Sequence, residues 1–119
     1  MPGIHYLGKP IPGEAAVCFT LTRDRKGLEE IGVGLDVAAS RCGVRHTDHW
    51  HREFGGARKI GAGGRIDLRI VVPVDPHYRP LSLLIQGNVH GPTASGVVRD
   101  RRACYPRLAW TAHRVSAAK

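Results

Sequence analysis

The chain has 119 residues, 42% of them hydrophobic and 24% charged, with 18 Lys+Arg against 10 Asp+Glu and a formal charge of +8. That length suits one domain with a modest core, and the composition excludes wholesale disorder. The longest apolar runs, such as Ile70-Val71-Val72 and Leu83-Leu84-Ile85, are too short for a membrane span.

Residues 1–13 carry Pro2, Gly3, Gly8, Pro10, Pro12 and Gly13, a density of breakers that predicts an irregular N-terminal arm ahead of a single domain over 14–119. The start, Met1-Pro2-Gly3-Ile4-His5, has no basic, apolar signal-peptide pattern. Residues 15–22 alternate as a strand, with Val17, Phe19 and Leu21 on one face and Cys18, Thr20 and Thr22 on the other. A charged turn, Arg23-Asp24-Arg25-Lys26-Gly27, follows. Leu28, Ile31, Leu35 and Ala38 or Ala39 fall at helical spacing, which predicts a helix over 28–42 with a break near Gly34. Residues 43–54 read as short helix or loop, with Trp50 and Phe54 one helical turn apart.

Five glycines and three cations between Gly55 and Arg65 predict a loop or hairpin connection. Residues 65–72 are the clearest strand, with Ile66, Leu68, Ile70 and Val72 on one face and Arg65, Asp67 and Arg69 on the other. Pro73, Asp75, Pro76 and Pro80 end it. Leu81, Leu83 and Ile85 make another strand, residues 87–96 read as loop, and Val97-Val98 opens a short extended piece. Leu108, Trp110 and Ala112 alternate with Ala109, Thr111 and His113 as a last strand. The sum is an α+β domain: a mainly antiparallel sheet of four to five strands with one or two helices in the first half.

Cys18, Cys42 and Cys104 are an odd number at wide spacing, with no CxxC pair. A reducing, intracellular setting is the simpler expectation, cytoplasmic or within a viral or ribonucleoprotein particle, with Cys18 structural.

Three stretches bear on chemistry. The first is His46-Thr47-Asp48-His49-Trp50-His51, where His46, Asp48, His49 and His51 are suitable ligands for a transition metal such as zinc. It resembles the His-x-His-x-Asp-His signature of metallo-β-lactamases, but Val44 stands at the first ligand position and the chain is too short. Asp48-His49 with Asn88 and His90 fits the spacing of a His-Asn-His nuclease poorly. The second is Ala39 followed by Gly43-Val44, which resembles the core spacing of helix-turn-helix repressors. There His49 stands where a buried aliphatic residue belongs, and Gly32 and Gly34 interrupt the first helix. The third is the isolated His90, for which no catalytic partner is identifiable; no catalytic residue is assigned.

The basic residues are 14 Arg and 4 Lys, and arginine grips phosphate with a planar fork of donors. Residues 61–119 hold 9 basic and 3 acidic side chains, against 9 and 7 in residues 1–60. The candidate contacts are Arg58, Lys59 and Arg65 in the glycine loop, Arg69 on the strand face, and Arg99, Arg101, Arg102, Tyr105 and Arg107 near the C-terminus. The expectation is a small basic protein that binds nucleic acid through phosphate, RNA slightly ahead of DNA, with low sequence specificity and no required cofactor. Packing against other subunits, as a homo-oligomer or in a larger assembly, is compatible with it. Two competing classes are an interaction subunit whose charge meets an acidic protein, and a metal-dependent hydrolase or nuclease built on residues 46–51.

Overall fold

The computed structural model describes residues 3–9, 14–35, 49–72, 81–100 and 107–115; for residues 49–55, 72 and 81 it describes the backbone alone. Among the described residues the protein is one antiparallel sheet of eight strands with no α-helix. The strands are β1 (Ile4–Leu7), β2 (Ala16–Leu21), β3 (Gly27–Gly34), β4 (His49–Lys59), β5 (Arg65–Val72), β6 (Leu81–His90), β7 (Thr93–Asp100) and β8 (Leu108–Arg114). Their order across the sheet is β4-β3-β2-β1-β8-β7-β6-β5, curled into a half-barrel. Two four-strand meanders are thus joined where β1 pairs with β8. The edge strands β4 and β5 are consecutive in the chain, linked by Ile60, Gly61 and a 3-10 turn at Ala62–Gly64. Gly63 and Gly64 take φ of 72° and 79° in that turn, a conformation that side-chain-bearing residues rarely adopt.

The α+β expectation is overturned, and the reason lies in β3. Leu28, Ile31, Val33 and Leu35 all face the core. The register slips between the pairs Leu21↔Leu28 and Thr20↔Glu30, so Glu29 is an extra residue in a β-bulge. The bulge turns one two-residue step into a three-residue step. Leu28, Ile31 and Leu35 therefore imitate helical spacing while lying on a strand. The helix expected over 28–42 and the short helix or loop expected over 43–54 are strand at residues 28–34 and 49–54; residues 36–48 lie outside the described residues. β4 carries its own irregularity: Glu30 faces Glu53 but Leu28 faces Arg58, leaving residues 54–57 opposite a single β3 residue.

The strand count also exceeds the expected four to five. Residues 87–96 are not a loop: β6 runs to His90, Gly91 and Pro92 make the turn, and β7 starts at Thr93. Gly87 pairs with Gly96, which pairs with Trp110. A Cβ on Gly87 would sit 2.5 Å from the Trp110 ring, and one on Gly96 would collide with the Gln86 carbonyl oxygen. These glycines let two strands and an indole approach closely. The breaker-rich start likewise contributes β1, which sits inside the sheet and pairs on both sides. Beyond its end, β2 and β8 meet directly through Ala15 N–H donating to Ala109 O at 3.0 Å. Gly8 lies in that narrowing, where a Cβ would be 2.7 Å from Val17 O and 2.9 Å from Thr111 O.

The concave side of the curl is the core. Val17, Phe19 and Leu21 from β2, Ile66, Leu68 and Ile70 from β5, Leu83 and Ile85 from β6, and Leu108, Trp110 and Ala112 from β8 are all buried, as alternation required. Tyr6 stacks on Phe19 with ring centroids 4.8 Å apart, and Phe19 meets Trp110 edge to face at 6.2 Å. The Tyr6 hydroxyl donates to Gly91 O at 2.6 Å and the Trp110 indole donates to Gln86 O at 3.2 Å, so both polar tips are satisfied. The convex side carries the charge. This is the inverse of a lipid-facing barrel, whose outside is apolar and inside polar. No helix among the described residues is long and apolar enough to cross a membrane.

Candidate nucleic-acid interface

Strand register decides which of the cations meet. On the convex side of β5–β8, successive lateral rows can be followed across the strands. Arg69 faces Leu84, which faces Arg99. Arg107 immediately precedes Leu108, the partner of Val98, and so extends that row at the start of β8. The next row is Asp67, Gln86, Val97 and Ala109; the one after is Arg65, Asn88, Ser95 and Thr111. Arg65, Arg69, Arg99 and Arg107 therefore share one exposed face, on which Asp67 is the single carboxylate among the described residues and lies 3.9 Å from Arg65. That pair is solvent-exposed on both sides, with side chains 66% and 49% accessible, and neutralises little in water. Asp100, next to Arg99, points to the core side instead and is buried.

Arg58 and Lys59 occupy a different place. They end β4 opposite Leu28 and Gly27 and lie beside the β2–β3 turn with Arg23, Arg25 and Lys26. Ile60 N–H donates to Lys26 O at 3.0 Å, which ties the β2–β3 turn to the chain just after β4. Arg58, Lys59 and Arg65 line one small hollow between the two edge strands, together with Leu28, Ile66 and Leu68. Arg58 and Lys59 thus share a hollow with Arg65 of the arginine face, with Asp67 also in its lining. Asp24 sits among them and caps its own turn, accepting from Thr22 Oγ1 at 2.6 Å and from Lys26 N–H at 2.9 Å. The Thr22 hydrogen bond first, and then the Lys26 amide, hold its carboxyl below the usual carboxylate range.

Arg101, Arg102 and Tyr105 lie outside the described residues, as do His46 and Asp48. His49 and His51 are in β4, in register with Gly34 and Gly32, not in a helix or loop. Among the described residues no three His, Cys, Asp or Glu side chains come together to hold a metal. The Tyr, Phe and Trp side chains described are Tyr6, Phe19 and Trp110, all core residues; the exposed rings on this side are His90 and His113, in one row with Thr93.

One polar row carried no signal in the sequence. On the convex side of β1–β3, His5 faces Thr20 and Thr20 faces Glu30. Thr20 Oγ1 donates to Glu30 Oε1 at 2.8 Å, so the His5 Nδ1 at 2.8 Å on the other side is the donor to that oxygen. The relay fixes one tautomer and leaves His5 Nε2 outward. The hydroxyl proton is committed to the carboxylate, so Thr20 is not an activated nucleophile. Cys18 borders the same small hollow. Burial pushes its thiol up; the backbone hydrogen bond with Gly32 opposes that shift and the Glu30 charge reinforces it. We expect Cys18 in the folded protein to alkylate at pH 7 more slowly than a free cysteine, and at the free rate in urea. Peptide-mapped mass spectrometry measures this, and equal rates in both states would contradict the burial.

No family model, curated protein or solved structure matches this chain.

Proposed function

We propose that this protein binds nucleic acid through its phosphates, using the convex face of β5–β8. The observation that carries the reading is the grouping of Arg65, Arg69, Arg99 and Arg107 on adjacent strands, with Asp67 as the carboxylate among them. Guanidinium groups in such an array grip phosphate oxygens and concentrate a positive potential, and the formal charge of +8 extends that field over the molecule. The other half of the sheet carries Glu29 and Glu30, and a second group of cations, Arg23, Arg25, Lys26, Arg58 and Lys59, lies at the β2–β3 turn. With no Tyr, Phe or Trp on the described part of the face, phosphate contacts dominate and sequence specificity is low.

Counterion release supplies the test. Four phosphate contacts give log K a slope of roughly −3 to −4 against log salt concentration. Filter binding of mixed-sequence RNA and DNA from low to moderate salt measures it. A flat salt response, or no binding to either polymer, removes the reading and leaves an acidic protein as the partner for the same charges.

A further inference from the structure

The arginine face contains a concavity that scattered surface charge does not require. Arg65, Gln86, Asn88, Ser95, Val97 and Arg107 line an open, mainly polar hollow of about 520 Å³ with Gly87 and Gly96 among its lining. Its geometry follows from the register. Arg65, Asn88 and Ser95 occupy one lateral row and Gln86 and Val97 the next, while Arg107 stands at the start of β8. The two arginines thus bracket two side-chain amides and a hydroxyl. Gly87 and Gly96 add backbone alone to the lining, because their row faces the core, where the Trp110 indole lies against Gly87.

The geometry points to a site for a nucleotide of an unpaired strand, an inference that rests on the function proposed above. Arg65 and Arg107 would hold flanking phosphates, while the Asn88 and Gln86 amides, each both donor and acceptor, meet the edge of the base between them. Single-stranded chain is favoured over duplex for a geometric reason. Base edges in a duplex lie in grooves and are reached by an inserted helix or ribbon. Here the amides sit in a hollow, level with their strands, and the described part of this face projects neither a helix nor a long ribbon: β6 and β7 are joined by the two-residue turn Gly91-Pro92. A splayed-out base can enter such a hollow; a stacked and paired one cannot.

The test uses the full chain and fluorescent mixed-sequence 12-mers as RNA and DNA single strands, and the same oligonucleotides annealed as duplexes, at one salt concentration. We expect single strands of either sugar to bind tighter than duplex. The double variant Gln86→Ala/Asn88→Ala should lose roughly tenfold or more of the single-strand affinity, at unchanged duplex affinity and unchanged salt slope. Far-UV circular dichroism and the urea midpoint check that the variant is folded, and the single variant Asn88→Ala, at an exposed position, repeats the test if the double variant is not. Duplex bound as tightly as single strand, or single-strand affinity untouched by the variants, overturns the hollow and leaves the arginine face standing. Absence of binding by the unaltered protein overturns both.

Discussion

Replacing Trp110 with alanine destabilises the fold by about 3–5 kcal/mol, which lowers the melting temperature by roughly 10–20 °C. The indole is 1% exposed and does three things at once. It fills the concave side of β8 and meets the Phe19 ring edge to face. It also lies against Gly87, and its ring nitrogen donates to the Gln86 carbonyl oxygen. Alanine leaves a cavity beside two glycines that have no side chains with which to fill it, so local collapse cannot recover much of the loss. Phenylalanine keeps most of the apolar area and gives up the hydrogen bond and the reach of the second ring, so Trp110→Phe costs about 1–2 kcal/mol. Urea unfolding followed by far-UV circular dichroism, with the denaturant slope unchanged, measures both. A loss below 1 kcal/mol for the alanine variant would show that the indole does not hold β6, β7 and β8 together. The expected loss is a large part of the roughly 5–15 kcal/mol by which domains are stable, so the same substitution should sharply reduce folded yield at 37 °C.

Removing Arg65, Arg69, Arg99 and Arg107 together, each to alanine, should lower nucleic-acid affinity about 10³-fold at 0.1 M salt. Each lost phosphate contact takes roughly 0.7–0.9 from the salt slope and the corresponding factor from the binding constant. All four side chains are exposed, so the urea midpoint should stay nearly unchanged. Net charge alone would predict that any four cations matter equally, whereas a directed face predicts that position matters. The pair Arg69→Ala/Arg99→Ala and the pair Lys9→Ala/Arg114→Ala remove the same charge, one from the arginine face and one from around the β1 and β8 ends. The first pair should cost at least tenfold in affinity and the second about twofold. Equal losses would mean that binding follows overall charge, with no interface on β5–β8.

The elements most legible in the sequence were those whose pattern was undisturbed. Arg65-Ile66-Asp67-Leu68-Arg69-Ile70 alternates without a break, and both its strand character and its two faces followed from that alone. Val17-Cys18-Phe19-Thr20-Leu21 did the same. β3 was illegible because the bulge at Glu29 gives its apolar residues a helical step, and a single extra residue cannot be distinguished from a change of secondary structure when only spacing is visible. Glycine misled for a related reason. Gly87, Gly91 and Gly96 look alike in the chain, yet Gly91 makes a turn with φ of 60° while Gly87 and Gly96 pair across β6 and β7 beneath Trp110. For Gly91 the cause is its own backbone angle; for Gly87 and Gly96 it is a residue on a neighbouring strand.

The arginines divide along the same line. That Arg65 and Arg69 share a face was local information, set by the two-residue period of one strand. That Arg99 and Arg107 join them, that Arg58 and Lys59 lie instead with the β2–β3 turn, and that Asp100 turns inward depended on how β4 through β8 pair. The His5–Thr20–Glu30 relay joins residues 15 and 10 positions apart with no motif to mark them. Composition and local alternation determined by themselves the basic character, the arginine bias, which apolar residues of β2, β5 and β8 face the core, and the outward charges of β5. Tertiary structure decided the all-β architecture, the grouping of the cations and the polar hollow among them. The reason is physical: side-chain direction along a strand is set by its own backbone, but side-chain neighbours across a sheet are set by register, which depends on the packing of the whole core.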